Sequence, residues 1–94
     1  MAKIPSSIRI KRNIKYDIVY QDLIGGDPNC LGMCDPNTKH IYIKNGLSKR
    51  EELKTYIHEC AHSLFDENNI KISHRDVYKI EEALYRLLTL NKFI

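Results

Sequence analysis

The sequence predicts an α+β fold in which a small antiparallel sheet of three to four strands is followed by two helices. Alternating apolar and polar residues, typical of strands with one buried face, are confined to the first half of the chain. Two helix-capping signatures, each followed by apolar residues at helical spacing, occupy the second half. A chain of 94 residues suits one small domain, so we expect residues 1–94 to form a single unit.

The first two strands are predicted from residues that alternate with a period of two. The apolar members of this pattern are Ile8 and Ile10, and then Ile14, Tyr16, Ile18 and Tyr20. A polar break at residues 11–13 separates the two groups and predicts a turn between them.

The next part of the chain alternates between loop and strand signals. Residues 21–31 contain Gly25-Gly26-Asp27-Pro28-Asn29, which predicts an irregular loop. Residues 32–34 are predicted to begin a further strand, and the Asp-Pro-Asn-Thr sequence of residues 35–38 is typical of a turn. His40–Lys44 alternates most clearly and is the strongest strand prediction.

Two serines mark the predicted helix starts. Ser48 is followed three residues later by Glu51, which forms a capping box, and Ser73 is followed in the same way by Asp76. The first helix carries an apolar stripe of Leu53, Ile57, Cys60, Ala61 and Leu64. The second helix, predicted to end near Asn91, carries a stripe of Val77, Ile80, Leu84, Leu87 and Leu88.

Composition sets limits on partners and location. The net charge of +3, from 15 basic and 12 acidic residues, permits weak contact with nucleic acid but does not require it. The chain begins without an apolar signal region and contains no apolar run of membrane-spanning length, so we expect a cytoplasmic protein with no membrane partner. Cys30, Cys34 and Cys60 are expected to remain free thiols.

The sequence His58-Glu59-Cys60-Ala61-His62 carries the clearest chemical signal. Two histidines four residues apart lie on one face of a helix, so both imidazoles can bind one metal ion. They lie away from the apolar stripe of the first helix and are not ordinary core histidines. The pattern predicts one zinc ion held by His58 and His62, with Glu59 as general base toward a water that the metal activates.

Catalytic zinc sites use three protein ligands, so a third is expected elsewhere. We predict Glu81, which projects inward from the second helix, because a carboxylate there is costly to bury unless it is paired or bound to metal. The alternatives are Glu82, which points nearly opposite and should be solvated, and His74, which can instead cap the helix or orient a ligand. Glu81 can also be a boundary residue paired with a lysine or arginine. His40 is expected at the surface.

These features carry a resemblance that covers residues 32–91. His58-Glu59-x-x-His62, Glu81 after an eighteen-residue gap, and the preceding strand His40–Lys44 together resemble very small gluzincin-type metallopeptidases (minigluzincins) and short phage-encoded SprT-like and ImmA/IrrE-like proteins. The resemblance implies a zincin-like fold, zinc on both histidines, Glu59 as general base, and a substrate groove lined by the strand around residues 41–43. In SprT-like proteins the third ligand is a histidine after the helix, which is where His74 stands.

The resulting hypotheses differ in class. The first is a zinc-dependent peptidase, a hydrolase that cleaves a protein or peptide by metal-activated water. The second is a non-catalytic module in which zinc staples two helices and the surface contacts a protein or nucleic-acid partner. A third, weaker hypothesis has no metal.

Overall fold

The computed structural model describes residues 4–93, and these residues form four strands followed by two helices. The strands are β1 (Ser7–Lys11), β2 (Ile14–Gln21), β3 (Gly32–Asp35) and β4 (His40–Lys44). The helices are α1 (Lys49–Glu67) and α2 (His74–Leu90). The predicted α+β fold is confirmed, with all four candidate strands and both helices present.

The sheet is mixed rather than wholly antiparallel, which corrects the sequence prediction. Its strand order is β1-β2-β4-β3, and β1/β2 and β3/β4 pair antiparallel. The central pair β2/β4 is parallel. The chain leaves β2 through the loop of residues 22–31, forms the edge strand β3, and then turns back through β4, which lies between β2 and β3. Side-chain alternation reports which face of a strand is buried and carries no information about the direction of its neighbour.

One face of the sheet forms the core. Tyr16 and Ile18 of β2 and Ile41 and Ile43 of β4 are buried together. Tyr56 and Cys60 of α1 pack against this cluster, so Cys60 behaves as the small apolar residue predicted. Each fully buried aliphatic side chain contributes about 1.5–3 kcal/mol, so this layer supplies much of the stability of a small domain.

Both helices begin as predicted. Ser48 Oγ accepts a hydrogen bond from the Glu51 backbone N–H at 3.2 Å, and Glu51 Oε1 accepts one from the Ser48 N–H at 3.4 Å. Ser73 Oγ accepts from the Asp76 N–H at 3.1 Å. The second of these caps fixes the position at which the chain turns back beside α1.

A polar cluster ties the end of α1 to the sheet. The buried Tyr16 donates its hydroxyl to Glu67 Oε2 at 2.5 Å, and Lys39 Nζ donates to the same oxygen at 2.5 Å. Burial, together with the Glu67 carboxylate, raises the pKa of Tyr16 above its ordinary range. Tyr16 therefore serves both as a core residue and as an anchor for the last turn of α1.

Among the described elements, α2 packs only against α1. Val77 is its one buried apolar residue, while Leu84, Leu87 and Leu90 are 38%, 54% and 74% exposed. The apolar stripe predicted for α2 is therefore only partly buried, because no strand packs beneath this helix. Within residues 4–93, neither helix has the length and apolar character needed to cross a membrane.

Candidate metal centre

The two histidines of the helical motif face each other one turn apart on α1. Their Nε2 atoms are 3.1 Å apart, and their ring centroids are 4.7 Å apart. His58 is 7% exposed and His62 is half-buried. Two nitrogens bound to one tetrahedral zinc at about 2.0–2.1 Å lie roughly 3.3 Å apart, so the observed separation matches a shared ion.

His74, the first residue of α2, completes a group of three imidazoles. The ligand atoms of His58, His62 and His74 all lie within 4.8 Å of one another. The His74 ring centroid is 4.7 Å from that of His62 and 6.0 Å from that of His58. Among residues 4–93 this is the one group of histidine, cysteine or acidic side chains close enough to hold a metal ion together.

Glu81 lies on the opposite side of the His58 ring. His58 Nδ1 donates a hydrogen bond to Glu81 Oε1 at 3.0 Å, and Glu81 Oε2 is 4.0 Å from Lys54 Nζ. Burial raises the pKa of Glu81, while the Lys54 charge opposes that shift. Glu81 is thus in contact with the motif, although at Nδ1 rather than at the facing Nε2 atoms. Its role as third ligand stays a prediction, beside that of His74.

Glu82 points away from the three histidines. Its side chain is 45% exposed, and its Oε2 accepts a hydrogen bond from Lys54 Nζ at 2.5 Å. Lys54 holds the pKa of Glu82 below its ordinary value. This contact joins α1 to α2 beside the histidines, so Glu82 helps to hold the two helices together.

Glu59 is buried and lines the same cavity as the histidines. Burial, and secondarily the Glu81 charge, raises its pKa to about 7. Burial also lowers the pKa of His58, and it lowers that of His62 to about 4, with neighbouring histidines adding to both shifts. These imidazoles are therefore neutral near pH 7, the form in which histidine binds metal.

The cavity beside the three histidines has a volume of about 590 Å³. One wall is the segment from residue 29 through β3, and the other wall is formed by α1 and α2. The expectation that residues 41–43 line the groove is wrong, because β4 is a central strand whose Ile41 and Ile43 are fully buried. The edge strand β3 occupies that place instead.

Gly32 allows β3 to lie close to α1. A Cβ at this position would be 2.5 Å from Thr55 Cγ2, 3.1 Å from the Tyr42 carbonyl oxygen and 3.2 Å from Glu59 Cγ. Any side chain there must displace Thr55 or the backbone, so the absence of a side chain at residue 32 sets the width of the cleft at Glu59.

Three further residues belong to this region, and sequence reasoning missed two of them, Gly32 and Asp66. Gly32, Asp66 and Tyr78 all line the cavity, and the Tyr78 ring centroid is 4.6 Å from that of His58. The spacing of His58, His62 and Asp66 by four residues was the one signal that could have found Asp66. His40 is not simply a surface residue, because its Nδ1 is buried with no hydrogen-bond partner among residues 4–93.

Comparison with known proteins adds no relative. No protein-family model matches the chain, and neither a curated protein nor a solved structure matches it.

Proposed function

We propose that this protein is a zinc-dependent peptidase that hydrolyses a peptide bond in a protein or peptide. The observation that carries the proposal is the 3.1 Å separation of the His58 and His62 Nε2 atoms at a cavity that also contains Glu59. We assign His58, His62 and His74 as the zinc ligands and Glu59 as the general base. We assign Glu81 the task of orienting His58.

The donor set fits zinc. Three imidazoles leave one position open in a tetrahedral site, which is the arrangement of catalytic zinc centres. Histidine ligands commonly donate their second ring N–H to a carboxylate, which fixes the tautomer that presents Nε2. Glu81 accepts such a bond from His58 Nδ1. This contact supports Glu81 as the partner of a ligand and leaves the third coordination position to His74.

Each residue then has a defined task. Zinc held by the three histidines would supply Lewis-acid chemistry, since it would make a water more acidic and would polarise the carbonyl of the bond to be cleaved. Glu59 would accept a proton from the attacking water and deliver it to the leaving amine. Burial keeps His58 and His62 neutral, and Glu81 holds the His58 ring in place. An extended substrate would lie along β3, whose outer edge has no partner strand among the described residues.

The experiment compares Glu59→Gln and His58→Ala with the zinc-loaded wild type on an unfolded protein substrate. We expect Glu59→Gln to keep one zinc per chain and to lose at least about a hundredfold in turnover, since general-base catalysis contributes about 10²–10⁴-fold. His58→Ala should lose both zinc and cleavage. Equal cleavage by wild type and Glu59→Gln would contradict the proposed mechanism.

A second candidate function is a non-catalytic module held together by zinc. The observation that favours it is that α2 contacts only α1 among the described elements, while His74 at its first residue faces His58 and His62. A metal shared by these residues would fasten α2 to the rest of the domain. A melting temperature that rises when zinc is bound, without turnover of any unfolded substrate, would favour this function over the peptidase.

A further inference from the structure

Asp66 extends the row of functional side chains along α1. It lies four residues after His62, as His62 lies four after His58, so the three share one face at steps of about 6 Å. Asp66 is exposed and lines the cavity. Among residues 4–93 its carboxylate has neither a hydrogen bond nor an ion pair.

Stability does not account for this carboxylate. The last turn of α1 contains no basic residue, and a negative charge near a helix C-terminus is unfavourable. The adjacent Glu67 accepts hydrogen bonds from Lys39 and Tyr16, whereas the Asp66 carboxylate has no ion pair within 4.0 Å among the described residues. A negative charge at this exposed position therefore destabilises the free protein slightly, and a bound cation would remove that cost.

The charged side chains that line the cavity are all acidic, as Asp66 is. The charged residues that line it are Glu59, Asp66 and Glu81, and no lysine or arginine among residues 4–93 lines it. The sequence as a whole has the opposite balance, with a net charge of +3. Glu81 is engaged with His58, and Glu59 is the assigned base, so Asp66 is the cavity carboxylate left for a ligand. A cleft with one sign of charge favours ligands of the other sign.

We propose that the cleft selects substrates with a lysine or arginine side chain near the cleaved bond and that Asp66 binds this cation. The proposal rests on the peptidase function proposed above. Asp66 lies about 6 Å along the helix from His62 and about 12 Å from His58, and an extended chain advances about 3.3 Å per residue. The cation therefore belongs within about three residues of the cleaved bond. Arginine can use both carboxylate oxygens, whereas lysine acts as a point charge.

The first arm of the test measures cleavage. Zinc-loaded wild type, Asp66→Asn, Asp66→Glu and Asp17→Asn are assayed on quenched-fluorescence dodecapeptides that differ at one position, which holds Lys, Arg, Gln or Glu. Asp17 is the matched control, because it is an exposed acid on β2 that does not line the cavity. We expect wild type and Asp17→Asn to favour Lys over Gln by about two- to fivefold in kcat/KM, the range of an exposed ion pair.

Asp66→Asn should bring this ratio near one, mainly through KM, and Asp66→Glu should preserve it. The melting temperature of Asp66→Asn should equal or exceed that of wild type, because the substitution removes an unfavourable helix-terminal charge. Loss of substrate preference in a protein of undiminished stability separates a specificity role from a structural one.

The second arm measures binding without turnover. Fluorescence anisotropy of the Lys and Gln peptides is recorded with Glu59→Gln and with Glu59→Gln/Asp66→Asn. A Lys preference in binding that requires Asp66, found together with a zinc-loaded wild type that cleaves none of the peptides, would retain the cation site and reject the peptidase function. Equal binding of both peptides, absence of binding, or a cleavage preference unchanged in Asp66→Asn would overturn the cation site.

Discussion

Glu81 accepts a hydrogen bond from His58 Nδ1 at 3.0 Å, and the other nitrogen of the same ring lies 3.1 Å from His62 Nε2. The carboxylate and the second histidine thus occupy opposite nitrogens of one imidazole. This arrangement fixes the tautomer of His58 and turns Nε2 toward the cavity. The roles of Glu81 and His74 follow from it and can be separated experimentally.

Glu81→Gln should weaken zinc binding without abolishing it. Loss of a carboxylate partner of a metal-bound histidine typically lowers affinity by about 10–100-fold. His74→Ala should have the larger effect, because it removes a ligand atom. Competition with a chromophoric chelator measures both affinities. A fully loaded His74→Ala together with an empty Glu81→Gln would reverse the assignment and make Glu81 the third ligand.

Gly32→Ala should disturb the cleft. The new Cβ would meet Thr55 Cγ2 at 2.5 Å, and overpacking of this kind typically costs about 1–3 kcal/mol. Thr55→Ser removes the obstructing methyl group, so we expect Gly32→Ala to be less costly in that background by about 1 kcal/mol. Urea unfolding of wild type, Gly32→Ala, Thr55→Ser and the double variant gives the coupling free energy between the two positions. Equal costs in both backgrounds would show that the close approach to Thr55 does not limit residue 32.

The free energy of unfolding should depend on pH through the Glu67 carboxyl group. Hydrogen bonds from Lys39 and Tyr16 lower the pKa of Glu67 below its unfolded value, which is about 4.3. The stabilisation is therefore complete above that unfolded pKa and is lost as pH falls through the lower folded pKa. Wild type should be more stable than Glu67→Gln at pH 7, and the difference should shrink toward pH 3.

Urea unfolding at pH 7, 5 and 3, with a chelator present so that metal loss plays no part, measures the effect of Glu67→Gln. Asp17→Asn is the control, because Asp17 is exposed and its carboxylate has no partner among the described residues. A difference between wild type and Glu67→Gln that stays constant over this pH range would contradict the role given to the Tyr16–Glu67–Lys39 cluster.

The apolar residues of α2 should differ sharply in their contribution to stability. Val77 is fully buried, so Val77→Ala should cost about 2 kcal/mol through lost burial and the cavity left behind. Leu90 is 74% exposed, so Leu90→Ala should change the free energy of unfolding by less than about 0.5 kcal/mol. Thermal or urea unfolding compares the two. A Leu90→Ala cost equal to that of Val77→Ala would show that the C-terminal end of α2 is covered in solution.

Much of the fold could be predicted from local signals. The caps at Ser48 and Ser73 set the helix starts because their side chains satisfy backbone N–H groups that the helix cannot. Alternation identified the strands, since side chains point to opposite faces of a sheet in turn. The parallel pairing of β2 with β4 could not be predicted in this way, because it depends on the path of the chain between the two strands and not on the residues of either strand.

Only part of the site could be predicted, because the rest depends on how the two helices pack together. The pairing of His58 with His62 is a property of one helix and follows from the helical repeat. The partners of that pair depend on how α2 turns back after residue 73, which sets His74 beside His62 and Glu81 beside His58 Nδ1. The apolar spacing of α2 did not identify its whole contact face, because α2 meets α1 with Tyr78, Glu81 and Tyr85 as well as with the buried Val77.

The most direct test is the zinc content of purified, untagged protein loaded with zinc and then dialysed, measured for wild type and for alanine variants at each of the three histidines. We predict one zinc per chain in the wild type and less than about a tenth of that in His58→Ala, His62→Ala and His74→Ala, because each variant removes one of three ligands. A wild type that retains no zinc, or a His58→Ala variant that retains a full equivalent, would contradict the proposed centre.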